Sequence, residues 1–147
     1  MTEPQLFLEN QLCFRLYNVS KEVTKAYSPI LKDNGITYPQ YLVLLVLWQQ
    51  ETAIKVSEIG ARLNLDSGTL SPLLKRLEKS ELVKRTRAES DERTVLISLT
   101  DQGKNLKNNL KNVPNALAER SPLSHEEMHQ LMNLLDKMKE GLSCSGI

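Results

Sequence analysis

Between Val56 and Thr100, apolar residues recur first at helical spacing and then in alternation, and this order limits the folds open to the chain. Three apolar residues at i, i+3 and i+7 predict a first helix, and four leucines at i, i+3, i+4 and i+7 predict a second. These positions are Val56, Ile59, Leu63, Leu70, Leu73, Leu74 and Leu77. Residues 64–68 predict a tight turn between the helices, and Ser67 or Thr69 is expected to cap the second one. Pro72 is expected near that helix start, where its missing N–H costs little.

The residues after the second helix predict a two-stranded β-ribbon. Residues 82–87 are expected to be extended, and residues 88–93 to reverse the chain. In the return strand Val95, Ile97 and Leu99 follow a period of two, which places one face toward a core.

A helix, a turn, a helix and a ribbon in this order are typical of a winged helix-turn-helix, so we predict a DNA-binding lobe over residues 39–100. From Leu70 to Arg87 six Lys or Arg stand against two Glu, a local net of +4 (6 − 2), whereas the whole chain carries +1. Charge localised in this way attracts a phosphate backbone. The basic residues are Lys75, Arg76, Lys79, Lys84, Arg85 and Arg87. A solvated amphipathic helix and hairpin is the alternative interpretation.

The composition is that of an ordinary soluble protein, with 40% hydrophobic and 25% charged residues, and 147 residues favour a single domain over 1–147. The predicted fold class is mainly α with a small β-wing, in which dimerisation helices at 1–34 and 101–147 flank the lobe. Further helices are expected from about 4 to 34 and from about 39 to 50. No basic leader and no apolar run of membrane length are present, which predicts a cytoplasmic protein without a membrane partner.

Two more helices are expected toward the C-terminus. Thr100 and Asp101 predict the start of one, and Ser124 with Glu127 forms a capping-box pair at the start of the last. The last helix carries an apolar face made of Met128, Leu131, Met132, Leu135 and Met138. A small chain usually buries such terminal faces by self-association, which predicts a homodimer.

Cys13 shares one face of the first helix with Tyr17 and Tyr27. Cys13 and Tyr27 are fourteen residues apart, roughly 21 Å along a helix, so they cannot touch within one chain. If two copies cross antiparallel near Ser20, Cys13 of one meets Tyr27 of the other, and Tyr38 approaches from the same side. Phenols that donate to sulfur favour the thiolate, which attacks peroxides. An inert cysteine beside core tyrosines is the alternative.

The chain resembles the MarR family of dimeric winged-helix repressors, and within it the organic hydroperoxide resistance regulators of the OhrR type. The segments that carry the resemblance are residues 9–14 (Glu-Asn-Gln-Leu-Cys-Phe), 36–41 (Ile-Thr-Tyr-Pro-Gln-Tyr), 65–70 (Leu-Asp-Ser-Gly-Thr-Leu), 72–76 (Pro-Leu-Leu-Lys-Arg), and 91–93 (Asp-Glu-Arg) leading to 98–100 (Ser-Leu-Thr). The resemblance implies that Cys13 is the peroxidatic residue, that Tyr27 and Tyr38 of the other subunit hold it, and that Tyr17 lies near this sensor.

The same resemblance implies two contacts with a palindromic operator. The helix from about Ser67 is expected in the major groove, and the wing, with Asp91 orienting Arg93, in the minor groove. The predicted DNA-binding residues are Ser67, Gly68, Thr69, Ser71, Pro72, Lys75, Arg76, Lys79, Arg85, Arg87, Asp91 and Arg93. Oxidation by an organic hydroperoxide would then release the operator.

Cys144 departs from this pattern, because it lies at the extreme C-terminus and not within a C-terminal helical region. We expect it either to resolve the sulfenic acid of Cys13 or to be a free thiol, in which case a low-molecular-weight thiol caps Cys13. His125 to His129 match the pattern H-E-x-x-H, but no further ligand follows, so no metal and no cofactor is expected.

Three functions remain open at this point. The first is a peroxide-sensing repressor that is not an enzyme. The second is a repressor released by a small aromatic ligand, with Cys13 merely structural. The third is a thiol peroxidase or zinc hydrolase for which DNA is irrelevant.

Overall fold

The computed structural model describes residues 3–144. The chain divides into two compact units, Met1–Val113 and Pro114–Ile147. It is mainly helical with a small antiparallel sheet, as predicted.

The first unit begins with two 3-10 turns, Pro4–Leu6 and Leu8–Asn10. The elements that follow are α1 (Leu12–Asp33), α2 (Tyr38–Trp48), β1 (Ile54–Lys55), α3 (Val56–Leu63), α4 (Ser67–Lys79), β2 (Val83–Ala88), β3 (Asp91–Leu99) and α5 (Asp101–Leu110). Two further helices, α6 (Val113–Arg120) and α7 (His125–Cys144), account for most of the second unit.

The core of the first unit is built around α2. The helix contributes Tyr41, Val43, Leu44, Val46 and Leu47, all buried. The four leucines predicted to form the inner face of the second helix are buried as well, at Leu70, Leu73, Leu74 and Leu77. The same spacing leaves the opposite face of α4 exposed to solvent. The buried leucines therefore determine which side chains of this helix face outward.

The sheet has three strands, in the order β1, β3, β2, and every pairing is antiparallel. The predicted two-stranded ribbon lacks the third strand, β1, which pairs with the other edge of β3 through Ile54 and Ile97. The chain reversal is also tighter than the predicted 88–93, since β2 runs to Ala88 and β3 resumes at Asp91. The hairpin of β2 and β3, residues 83–99, is called the wing below, and a register shift between Arg87 and Ala88 marks it.

The predicted start of the first helix near residue 4 is wrong. The α-helix begins at Leu12, because polar side chains occupy the backbone acceptors that a continuous helix would use. Gln11 Nε2 donates to the carbonyl oxygens of Gln5 at 2.7 Å and Phe7 at 3.0 Å, and Asn10 Nδ2 donates to that of Pro4 at 2.7 Å. Such side-chain bonds stabilise turns in competition with a helix.

The start of α4 differs from its prediction in two ways. Neither Ser67 nor Thr69 is the cap; Asp66 is, and its Oδ1 accepts from the Thr69 backbone N–H at 2.7 Å. The helix consequently starts at Ser67, which places Pro72 in the second turn and not in the first. With no N–H at Pro72, the carbonyl of Gly68 loses the i+4 donor that a helix normally supplies.

The predicted cap at Thr100 is confirmed, since Thr100 Oγ1 accepts from the Gly103 N–H at 3.0 Å. The same hydroxyl donates to the Glu81 carbonyl at 2.5 Å, and the Thr100 N–H donates to the Leu82 carbonyl at 3.1 Å. Gly103 packs so closely here that a Cβ atom would overlap the Leu82 carbonyl oxygen. The end of α4, the end of β3 and the first turn of α5 therefore meet at one junction.

In the second unit the capping box at the start of α7 is confirmed. The Ser124 N–H donates to Glu127 Oε2 at 3.0 Å, and the Glu127 N–H donates to Ser124 Oγ at 3.1 Å. Of the predicted apolar face, Met128 and Met138 are partly buried, and Leu131, Met132 and Leu135 are exposed. Across residues 3–144 the helices are all too short or too polar to cross a membrane.

Candidate nucleic-acid interface and cysteine–tyrosine site

The outer face of α4 presents every predicted DNA-binding residue of that helix to solvent. Those residues are Ser67, Gly68, Thr69, Ser71, Pro72, Lys75, Arg76 and Lys79. Their exposure follows from the burial of the four leucines on the other side of the helix. This face combines small or hydroxyl side chains at the N-terminal end with three cations nearer the C-terminal end, so it offers both hydrogen-bonding groups and positive charge.

Asp66, the N-cap residue of α4, lies at the N-terminal end of the outer face of this helix. The Thr69 backbone N–H, followed by the Thr69 hydroxyl, lowers the pKa of the Asp66 carboxyl below its usual range. The resulting carboxylate offsets the positive end of the helix dipole. The positive potential of the surface therefore comes mainly from Lys75, Arg76, Lys79 and the wing.

The wing holds its own shape through arginine and aspartate contacts. Arg87 Nη1 donates to the Glu92 carbonyl at 2.7 Å, across the irregular register at Ala88. Asp91 Oδ1 accepts from the backbone N–H of Arg93 at 3.0 Å, so its contact is with the backbone of that residue. The Arg93 side chain is exposed next to the turn, where it is available to a partner.

Arg85 lies at the base of the wing and makes an ion pair with α4. Its Nε is 3.6 Å from Glu78 Oε2, with both side chains substantially exposed. An exposed pair of this kind stabilises the fold only slightly, but it holds the Arg85 side chain against α4.

Tyr27 and Tyr38 meet within one chain, on α1 and at the first position of α2. Their ring centroids are 5.4 Å apart. Tyr41 joins them, with centroids 5.6 Å from Tyr27 and 6.2 Å from Tyr38. We call these three residues the tyrosine cluster. Sequence reasoning missed Tyr41, although its position three residues after Tyr38 on a helix could have indicated it.

Two phenols of the tyrosine cluster, those of Tyr27 and Tyr41, have a raised pKa. Burial, and then the neighbouring Tyr27 and Tyr38, raise the pKa of Tyr41 to about 12. Burial, and then Tyr38, also raise the pKa of Tyr27 above its ordinary value. Protonated phenols can donate hydrogen bonds to an anion.

Cys13 is exposed in the first turn of α1, on the same helix as Tyr27 but fourteen residues from it. The helical rise puts roughly 21 Å between their backbones, so a single chain does not bring them together. Tyr17, one turn after Cys13, has 61% of its surface exposed, and Lys21 Nζ lies 4.6 Å from its ring centroid.

The expectation that Cys144 lies outside the C-terminal helical region is wrong, because Cys144 is the last residue of α7, in the second unit, where it is exposed. His125 and His129 lie on the same helix with ring centroids 5.8 Å apart. Within residues 3–144 no group of three or more side chains is arranged to hold a metal ion.

Comparison with known proteins gives consistent results. A family described as "Transcriptional regulator SarA/Rot" matches residues 25–110. The organic hydroperoxide resistance transcriptional regulator of Bacillus subtilis (strain 168) is 50% identical over 135 residues, covering 92% of this chain and 91% of that protein. The HTH-type transcriptional regulator MgrA of Staphylococcus aureus is 44% identical over 132 residues and 89% of both chains.

Solved structures agree in fold over nearly the whole length. Reduced AbfR bound to DNA superposes with a TM-score of 0.81, 40% sequence identity and 97% coverage of both chains. The Staphylococcus aureus MepR–DNA complex superposes with a TM-score of 0.83 at 26% identity, covering 90% of this chain and 98% of the other.

Proposed function

The chain belongs to the SarA/MarR-type family of winged-helix transcriptional regulators, and from that premise we propose that it is a homodimeric repressor whose operator is released when Cys13 is oxidised by an organic hydroperoxide. The observation that carries this proposal is the pairing of Tyr27 and Tyr38 at 5.4 Å, while the exposed Cys13 lies out of reach on the same helix. A thiol and its phenol partners that are separated within one chain come together in a symmetric pair of chains.

Exposed apolar side chains on the two terminal helices support the homodimer. On α1 they include Leu12, Val19 and Ile30, each more than a third exposed, and on α7 they include Leu134 and Leu142. In an antiparallel crossing of α1 near Ser20, Cys13 approaches the partner's Tyr27 and the partner's Tyr38, because positions 13 and 27 are both seven residues from the centre. Residues 1–34 and 101–147 are the dimerisation regions in this proposal.

The DNA surface consists of α4 and the wing. The hydroxyl and small side chains from Ser67 to Ser71 face the base edges of the major groove, while Lys75, Arg76 and Lys79 face phosphates. Arg93 enters the minor groove, and the Asp91 bond to its backbone fixes the turn that carries it. A palindromic operator matches the two-fold symmetry of the dimer.

The sensing reaction is a two-electron transfer at sulfur. The Cys13 thiolate attacks one oxygen of the hydroperoxide, the O–O bond breaks, and the alkoxide leaves and takes up a proton to become an alcohol. Sulfur is oxidised to the sulfenic acid, which no longer accepts the two phenol hydrogen bonds in the same way. A low-molecular-weight thiol then gives a mixed disulfide and water, or Cys144 closes a protein disulfide with loss of water.

Operator release is the decisive measurement. Fluorescence anisotropy of a labelled palindromic duplex is expected to report binding by the reduced protein and release after one equivalent of cumene hydroperoxide. Cys13→Ser should bind equally well and remain bound, and Cys144→Ser is the matched control that keeps the response when a small thiol is present. Release of the Cys13→Ser protein by peroxide would contradict the proposal. Release of both proteins by salicylate, with no response to peroxide, would favour a ligand-responsive repressor instead.

The tyrosines are tested by the rate of oxidation. Tyr27→Phe and Tyr38→Phe each remove one donor to sulfur and are expected to lower the second-order rate constant with organic hydroperoxide. Tyr17→Phe should have a smaller effect, because Tyr17 is not one of the two proposed hydrogen-bond donors to sulfur. Unchanged rates in the first two variants would remove the tyrosines from the sensor. Mass spectrometry of the oxidised protein separates a Cys13–Cys144 bridge from a mixed disulfide.

A further inference from the structure

The helix α2 connects the tyrosine cluster with the junction at the base of the wing. Tyr38 and Tyr41 occupy its first turn, and Trp48 is its last residue, roughly 15 Å further along. Tyr41 and Trp48 are in edge-to-face contact, with ring centroids 6.2 Å apart. The rings therefore form a continuous series along one side of this helix.

Trp48 continues the series with a directed hydrogen bond. Its Nε1–H donates to the Gly103 carbonyl at 3.0 Å, between residues 55 positions apart in the sequence. An indole N–H is a single donor without an acceptor function, so this bond fixes the ring relative to the first turn of α5.

Gly103 in turn belongs to the junction that holds the end of α4. Its N–H donates to Thr100 Oγ1, and that hydroxyl donates to the Glu81 carbonyl. Glu81 follows the end of α4 with a left-handed φ of 61°, and Leu82 leads into β2. A displacement of the Gly103 carbonyl is thus passed through short, directional contacts to both the DNA-facing helix and the wing.

We propose that Trp48 is a positioning residue through which the tyrosine cluster controls the placement of α4 and the wing. This inference rests on the proposed function, since it assumes that oxidation of Cys13 disturbs Tyr27 and Tyr38. α2 transmits the disturbance as a rigid element, because its N-terminus is closed by the Thr37–Gln40 capping box and most of its side chains are buried. The Trp48–Gly103 bond is the link at the other end.

The single tryptophan of the chain is a direct probe of this link. In the full-length reduced protein, oxidation with one equivalent of cumene hydroperoxide is expected to shift the emission maximum of Trp48, because its hydrogen bond to Gly103 changes. The Cys13→Ser protein should give no shift. Complete oxidation of Cys13 with operator release and an unchanged emission spectrum would overturn the inference.

Trp48→Phe tests the link by function, since it keeps an aromatic ring and removes the N–H donor. The measured quantity is the ratio of operator Kd in the oxidised protein to Kd in the reduced protein. Wild type should show a ratio of at least about fivefold, the lower end of ordinary allosteric coupling. The ratio should fall at least by half in Trp48→Phe, while the rate of Cys13 oxidation stays unchanged. Leu45→Met, a volume-conserving change on the same helix, is the control that should keep the wild-type ratio.

The outcomes separate the two proposals. If oxidation of wild-type Cys13 leaves operator affinity unchanged, the proposed function fails, and the role proposed for Trp48 fails with it. If wild type responds and Trp48→Phe responds equally, the proposed function stands and only the role of Trp48 is refuted. The emission measurement uses the wild-type chain, so it decides the matter even if the variant does not fold.

Discussion

Gly103→Ala should strongly destabilise the first unit. The added Cβ would overlap the Leu82 carbonyl oxygen and lie 3.1 Å from Leu99 Cδ2. The neighbour is backbone and not the end of a flexible side chain, so α5 and the Leu82 peptide must separate by on the order of 1 Å to reach ordinary contact. Such a movement also weakens the bonds that Gly103 makes with Thr100 and Trp48.

The expected loss follows from three terms. Overpacking of this kind costs roughly 1–3 kcal/mol. Two hydrogen bonds weakened at the same place add about 1 kcal/mol each, while alanine recovers up to about 1 kcal/mol of helix propensity. The free energy of unfolding should therefore fall by about 2–4 kcal/mol, which for a chain of this size lowers Tm by roughly 5–15 °C.

Thermal unfolding followed by circular dichroism at one fixed protein concentration measures the change. Gly68→Ala is the matched control, because it also lies in the first turn of a helix and its Cβ would only contact Asp66 Oδ1 at 3.5 Å. Its Tm should equal or slightly exceed that of wild type. If Gly103→Ala melts together with this control, the close approach at the junction does not exist in solution.

Three further substitutions test separate parts of the fold. Leu74→Ala empties a side-chain position that is 1% exposed and should cost about 2–5 kcal/mol in urea unfolding; a loss below about 1 kcal/mol would mean that the α4 core is packed differently. Asp66→Ala should lower the urea midpoint at pH 7, because the Thr69 hydrogen bond lowers the pKa of Asp66 in the folded state. The carboxylate therefore stabilises the fold above the pKa that Asp66 has in the unfolded chain. This stabilisation is lost as pH falls through the lower pKa of the folded state. The difference from wild type should shrink as pH falls below about 3.9, the ordinary pKa of an aspartate, and a pH-independent difference would exclude a charged cap. Arg87→Ala should speed amide hydrogen exchange in the wing turn by removing the bond to Glu92, with Arg87→Lys intermediate, whereas equal exchange in all three proteins would show that the bond does not hold the turn.

The helices that carry strong apolar periodicity were predictable, and the short or polar elements were not. The leucines of α4 occupy one face at helical spacing, so their burial and the exposure of Lys75 and Lys79 both followed from the sequence. β1 has only two residues and hence no periodicity; its pairing with Ile97 depends on a contact far away in sequence. The N-terminal turns escaped prediction because the amides of Asn10 and Gln11 bond locally to the backbone.

The candidate site divides in the same way. Exposure of the predicted DNA-binding residues of α4 follows from the helix pattern. The choice of Asp66 over Ser67 or Thr69 as the cap depends on backbone geometry, since all three side chains can accept an N–H. Tyr27 and Tyr38 were selected by their positions relative to Cys13. Their contact with Tyr41 was not predicted, because the buried Tyr41 also fits the core pattern of an apolar helix, and only its spacing of three residues from Tyr38 pointed to the cluster.

The pairing of β1 with β3 joins α3, α4 and the wing into one rigid part of the first unit. α3 begins at Val56, the residue directly after β1. Because β1 is hydrogen-bonded to β3 of the wing, α3 and the α4 that follows it are connected directly to the wing. Tilting the wing alone would require breaking that pairing. The separation between the outer face of α4 and the tip of the wing is thus set by the fold, and the two surfaces move together as one unit.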